Sequence, residues 1–154
     1  MSPAGPVSTG PLGPGDRGAW ETLFRGYNDF YRVEHPQAMY DRAWAEFQAD
    51  ERMHARGAWA GGSLAGIVHF LAHPRTTGPD VCYLEDLFTA PAFRGRGVAR
   101  ALIREVGSWA AGRGLGRVYW HTHASNLTAR ALYDQVAVND GFIMYAMELP
   151  RGQR

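Results

Sequence analysis

The sequence predicts a mixed α/β domain. Its sheet is central, mixed and mostly antiparallel, with one parallel strand pair and helices on both faces. Hairpin punctuation is the first sign: Gly61-Gly62 joins the apolar runs Arg56–Ala60 and Ser63–His73, and such a junction pairs strands antiparallel. The second is a strand–helix–strand crossover from Val81 to Thr122, which requires a parallel pair. The third is that segments with one apolar helical face both precede and follow the hairpin.

At 154 residues, 45% apolar and 20% charged, the chain fits one domain with a real core. That domain is taken as residues 1–154, with 1–6 disordered. Pro3, Pro6, Pro11 and Pro14 leave only proline-free pieces too short for a helix. Val7–Leu12 is expected as a short edge strand.

Asp16 follows Pro14-Gly15 as an N-cap. Trp20, Leu23, Phe24, Tyr27 and Tyr31 then recur at helical spacing, so a helix is expected over Asp16–Tyr31. Glu34-His35-Pro36 breaks it. A second helix, Pro36–Gln48, carries Met39, Ala43, Trp44 and Phe47 on one side. After the hairpin, Arg75–Asp80 is a connection and Val81–Thr89 the central strand. Gly97–Arg113 is the next helix, with Val98, Leu102, Val106 and Trp109 as its buried stripe and Gly114 and Gly116 ending it. Arg117–Thr122 is a strand. Asn126 caps a helix over Leu127–Ala137 that buries Ala129, Leu132 and Val136. Gly141–Leu149 closes the chain as a strand.

Net charge is +1, with no lysine and sixteen arginines. No bulk electrostatic case exists for nucleic acid or an anionic membrane. The single cysteine, Cys82, forbids an internal disulfide and reads as a small buried hydrophobe. No signal peptide or membrane-length apolar run is apparent, so a cytoplasmic protein is expected. His121 and His123, like His69 and His73, lack a third partner, so no metal site is expected.

The loop Arg94-Gly95-Arg96-Gly97-Val98-Ala99 is the expected functional centre. Amides at a helix start have no intrahelical partner and, with the positive end of the macrodipole, hold an anion such as a pyrophosphate. Arg94 and Arg96 add charge suited to phosphate. A P-loop needs a lysine, which the chain lacks. A dinucleotide fingerprint needs Gly or Ala where Arg100 stands.

Arg94-x-x-Gly97-x-Ala99, preceded by Leu84-Glu85-Asp86-Leu87-Phe88-Thr89-x-Pro91, resembles the acetyl-CoA motif of the GCN5-related N-acetyltransferases, the GNAT family. The likeness runs from about Leu64 to Leu149. The stretch Tyr119–Ala137 resembles the subgroup that includes yeast histone and polyamine acetyltransferases. The resemblance implies acetyl-CoA as acyl donor and a splay between Val81–Thr89 and Arg117–Thr122 that takes the pantetheine arm. It also implies that Arg94, Gly95, Arg96, Gly97, Val98 and Ala99 hold the diphosphate, that Leu87, Phe88 and Thr89 pair with the pantetheine through main chain, and that Asn126 holds the cofactor. An N–H near Leu87 suits the developing oxyanion.

Under 1% of a primary amine of pKa ~10.4 is free base at pH 7, so a base is needed. Glu85 is the first candidate, as base or acceptor binder. Asp86 is the second; successive strand residues face opposite ways, so the two are not expected to share a role. Tyr133 stands two helical turns after Asn126, and resembles the family tyrosine whose phenol faces the thioester sulfur. Tyrosine at pKa ~10 against a thiol at ~8.5 makes full proton transfer uphill by ~2 kcal/mol, so a hydrogen bond to the sulfur is as plausible as protonation. Tyr27, Tyr31, Glu34 and His121 are expected at the acceptor end, where aromatics and a carboxylate suit a cationic amine. The acceptor is expected to be a small-molecule amine, with a protein lysine second and a non-catalytic acyl-CoA sensor as a different class. A homodimer is expected from the family's use of its C-terminal strands.

Overall fold

Apolar runs joined across the Gly61-Gly62 turn and the 74–80 connection lay down the sheet. In the computed structural model, which describes residues 5–151, it has five strands in sequential order. They are β1 (Val7–Gly10), β2 (His54–Ala60), β3 (Ser63–His73), β4 (Val81–Thr89) and β5 (Val118–Tyr119). The first three pairings are antiparallel, and β4 with β5 is the parallel pair. The expectation for residues 1–6 falls mostly outside the described residues, which begin at Gly5. The described residues form two compact units, one through His121 and one from Thr122 on.

Two buried clusters hold the first unit. One joins the sheet face carrying Val68, Phe70, Cys82 and Leu84 to α3 (Val98–Gly112) through Val98, Leu102, Val106 and Ala110. The other joins Ile67 and Ala55 to α1 (Arg17–Phe30) and α2 (Gln37–Ala49) through Trp20, Leu23, Phe24, Tyr40, Trp44 and Phe47. Helices thus cover both faces. Each fully buried Leu, Val or Phe in these layers is worth ~1.5–3 kcal/mol of transfer free energy. Tyr40 and Ala110 join the buried stripes, whereas Trp109 is only partly buried.

Local chemistry explains the ends. Asp16 does not cap α1 with its side chain; its carboxylate accepts from the Gly13 amide at 2.8 Å and closes the Pro14–Asp16 turn instead. Pro36, extended, starts α2. At the other end of α3, Leu115 N–H reaches back to the Ala110 carbonyl at 3.0 Å, past Gly114 in the left-handed region. Gly66 on β3 lets α3 come close: a Cβ there would sit 2.6 Å from Val98 Cγ1 and 3.0 Å from the Phe88 carbonyl. The start of α3 is therefore set against the end of β4.

Three expectations need correction. The strand expected over Arg117–Thr122 shrinks to two residues, because only Cys82 and Tyr83 of β4 pair with it. In the second unit, α4 (Leu127–Val136) half-buries Ala129, Leu132 and Val136 and has no fully buried residue. Among the described residues Gly141–Leu149 forms no strand, although its residues favour one. Propensity makes a strand only where a neighbouring strand takes its amides.

Candidate active site

The site begins at an irregularity in β4. On the α3 layer lie Cys82, Leu84 and Leu87; on the α1–α2 layer lies Phe88. Leu84 and Leu87 are an odd number apart yet share a layer. Pairing explains it: Phe70 opposes Leu84 and the adjacent His69 opposes Asp86, so Glu85 is an extra residue. This bulge re-phases the strand. The expectation that Glu85 and Asp86 are kept apart by strict alternation is therefore corrected, since alternation fails here. Glu85 is solvent-open, yet the surrounding protein, and then the Asp86 carboxylate, raise its pKa above the ordinary carboxylate value, with His69 pulling the other way.

Asp86 meets a buried histidine. His69 is fully enclosed, stacked on Phe47 at 4.2 Å and edge-on to Phe24 at 4.7 Å. Its Nδ1 lies 2.9 Å from Asp86 Oδ2, and the Trp20 indole Nε1–H donates to its Nε2 at 2.9 Å. Tyr27 faces the same carboxylate: burial first, then Asp86, push its phenol far above the ordinary range. Further along the sheet Tyr83, raised by burial and then by Glu85, reaches His121 Nδ1 at 3.3 Å. Tyr119 OH lies 2.7 Å from His73 Nε2 and its ring 5.1 Å from that of Tyr83. Glu85, Asp86, Tyr27, Tyr83 and His121 thus surround one stretch of β4.

Among the described residues β4 has no ladder with β5 beyond Tyr83, so Leu84–Thr89 keeps one edge without a strand partner while its other edge stays on β3 through Thr89 opposite Gly66. A short turn, Pro91–Phe93, then leads into the loop. Gly95 and Gly97 have φ of +77° and +79°, and a Cβ on either would meet nothing within 4 Å. Gly97 caps α3, and the first helical bond is Ala101 N–H to the Gly97 carbonyl at 3.0 Å. The N–H groups of Val98 and Ala99 precede that bond. Arg94 and Arg96 flank the loop, both exposed, Arg96 lying over the Phe93 ring at 5.3 Å. An anion-accepting helix start next to an unpaired strand edge fits a long ligand with a diphosphate at one end and amides along its length.

The other expected residues lie as follows. Tyr31 ends α1, 39% exposed and 4.9 Å ring to ring from Tyr27. Glu34 is exposed in the connection to α2. In the second unit, Asn126 caps α4, its Oδ1 accepting from Ala129 N–H at 3.4 Å, and Tyr133 is half-buried on that helix. Cys82 is enclosed, its thiol pushed up to about 11 by burial. Among the described residues, no cluster of three or more His, Cys, Asp or Glu is placed to hold a metal, and no helix is long and apolar enough to cross a membrane. The sequence reading missed His69, Tyr83 and Tyr119 as site residues. Leu84 and Leu87 flanking two carboxylates, out of step with a two-residue repeat, was the available signal.

A mixed sheet with one short parallel pair, helices on both faces and a glycine-capped helix start after the central strand defines the class of fold, and comparison with known proteins agrees. The profile described as the acetyltransferase (GNAT) family matches residues 20–137, and the chain belongs to that family. It is 32% identical over 137 residues to the D-amino-acid N-acetyltransferase of Saccharomyces cerevisiae, covering 86% of this chain and 84% of that one. Against the thialysine N-epsilon-acetyltransferase of Caenorhabditis elegans identity is 32% over 87 residues, 56% of this chain and 54% of the other. An aminoglycoside acetyltransferase solved with a bisubstrate analogue of coenzyme A superposes with TM-score 0.81 at 20% identity, covering 94% of this chain and 99% of that one, a likeness of fold.

Proposed function

We propose that the protein is an acetyl-CoA-dependent N-acetyltransferase acting on the primary amine of a small molecule such as an amino-acid derivative or polyamine. The observation that carries this is the juxtaposition of the Gly97 helix start with the unpaired Leu84–Thr89 edge and the Glu85–Asp86 pair. When bound, the coenzyme supplies an acyl thioester. Arg94, Gly95, Arg96, Gly97, Val98 and Ala99 would grip its diphosphate, and the main chain of Leu87, Phe88 and Thr89 would pair with its amides. An N–H near Leu87 would donate to the acyl oxygen as charge develops there. Relatives named for D-amino acids and thialysine support a small amine.

Glu85 takes one proton from the ammonium, its raised pKa suiting a base nearer neutrality. With an acyl thioester bound, the freed nitrogen would form the C–N bond as the C–S bond breaks, its second proton passing to the departing sulfur and the proton on Glu85 returning to solvent. From its spacing to Asn126, which would help hold the cofactor, Tyr133 would hydrogen-bond that sulfur. Tyr27, Tyr31, Glu34 and His121 shape the acceptor end. The whole chain acts as one domain, as a homodimer in the cytoplasm.

The test is thiol release from acetyl-CoA across a panel of D-phenylalanine, D-lysine, thialysine, spermidine and sisomicin, with calorimetry of coenzyme A binding. Turnover of at least one panel amine is expected. Binding without release from any of them replaces the enzyme with a sensor, and no binding removes both.

A further inference from the structure

Resting on that reading, we propose that His69 is a positioning residue that holds Asp86 as the fixed counter-ion of the acceptor ammonium, with Trp20 setting which nitrogen of His69 does the holding. The indole N–H of Trp20 has no lone pair to offer, so at 2.9 Å it can only donate, and His69 Nε2 must accept. The ring's one proton then sits on Nδ1, which donates to Asp86 Oδ2 at 2.9 Å. Ring stacking on Phe47 at 4.2 Å and the edge contact with Phe24 at 4.7 Å hold the plane of the imidazole, and the Trp20 donor selects the edge that faces it.

The direction of this chain matters. It starts at a donor that cannot accept, so it ends on a carboxylate oxygen that cannot turn away. Asp86 is 18% exposed at its side chain while His69 is wholly enclosed. One carboxylate oxygen is therefore tied down while part of the side chain stays in solvent, adjacent to Glu85 in the strand. Two carboxylates side by side, one tethered and one solvent-open, divide the labour. Asp86 anchors the ammonium and Glu85 takes its proton. His69 touches neither the amine nor the acyl group and acts only through Asp86.

Three substitutions separate positioning from a packing role. In His69→Asn the side-chain amide N–H stands near the place of Nδ1–H and keeps the donor to Asp86; His69→Leu keeps bulk and removes it; Asp86→Asn keeps shape and removes the charge. For whichever panel amine turns over, losing a hydrogen bond to a charged group is expected to raise KM for the amine by about tenfold or more in His69→Leu and Asp86→Asn. KM for acetyl-CoA should stay within about twofold in both variants, kcat should stay so in His69→Leu, and His69→Asn should recover most of the amine KM. Equal KM values for His69→Asn and His69→Leu, an unmoved amine KM, or an equal rise for both substrates overturns the proposal. Should His69→Leu fail to fold, the Asp86→Asn and His69→Asn comparison decides alone.

A readout without turnover keeps this distinct from the enzyme assignment. Long-range proton–nitrogen NMR of the imidazoles should show the Nδ1–H form for His69 in the unmodified protein, and loss of that preference in Trp20→Phe. Titrating thialysine should move the His69 Nδ1–H resonance in the unmodified protein and leave it still in Asp86→Asn. An Nε2–H or doubly protonated His69, or a resonance indifferent to thialysine, overturns the proposal even if some amine is acetylated. If no amine is acetylated but the resonance moves, the enzyme reading falls and the amine anchor stands.

Discussion

Replacing Gly97 by valine separates binding from folding because the chain contains its own control. Gly97 and Gly114 bracket α3, with φ of +79° and +72°, and a Cβ on either would meet nothing within 4 Å. Valine at each position therefore incurs the same kind of backbone strain, about 1–3 kcal/mol, without a clash in the free protein. A fall of a few degrees in Tm is expected for both variants. Only at Gly97 would the added side chain enter the space proposed for the diphosphate, beside the Val98 and Ala99 amides. Two hydrogen bonds to a charged group, at about 1.5–3 kcal/mol each, come to about 3–6 kcal/mol, or a factor of ~10²–10⁴ in Kd. The assay is calorimetric titration of coenzyme A, with thermal melts by circular dichroism. Gly97→Val should lose that affinity while Gly114→Val binds like the parent protein. Equal affinity in all three proteins would refute the anion cradle; equal loss in both variants would show that folding, not the loop, was disturbed.

Glu85→Gln should lower kcat by about 10²–10⁴ and abolish the acidic limb of the pH–rate profile; turnover within a few-fold of the parent at every pH would pass the base role to another group. The same substitution has a sign in stability. Glu85's folded pKa is raised, so the native state binds its proton more tightly, and stability falls as pH rises from the ordinary carboxylate value, ~4.3, through the folded one. Melts of Glu85→Gln should lack that slope. Cys82, with its thiol at about 11, should resist iodoacetamide at pH 8 until denaturant is added, and its stability contribution should likewise fall as pH climbs from ~8.5 toward that value; rapid labelling of the native protein would contradict its enclosure. Replacing Ile143 and Tyr145, 73% and 88% exposed, by serine should change thermal stability by no more than ~0.5 kcal/mol in the monomer. Sedimentation at rising concentration should show weaker self-association in that variant if the closing segment serves the proposed homodimer.

Some of this molecule was legible in its sequence and some was not, for definite reasons. β3 and β4 run over the expected residues, and α3 begins at the expected glycine. Those features are written locally, in apolar runs, a glycine turn and a start signal. What failed depended on partners far along the chain. Arg117–Thr122 and Gly141–Leu149 both have strand-forming residues, but a strand is a pairing, and neither periodicity nor propensity says whether a neighbour will be there. The loop residues were readable because backbone amides at a helix start need only glycine and position. His69 was not readable, because its meaning comes from Trp20 on α1 and Asp86 on β4, and no spacing in the sequence joins them.

The extra residue in β4 has one more consequence, for how this site tolerates change. Leu84 and Leu87 plug the α3 layer from either side of it, and the ladder sets Leu84 opposite Phe70 and Asp86 opposite the adjacent His69. Deleting Glu85 would therefore leave every other residue of β4 opposite its present partner and restore the plain two-residue repeat, with Asp86 still toward His69 and Leu87 still under α3. Exchanging Glu85 for another amino acid likewise costs chemistry and leaves the architecture standing. Both changes should spare the fold, so a protein lacking Glu85 should keep its circular dichroism spectrum while losing the proposed base.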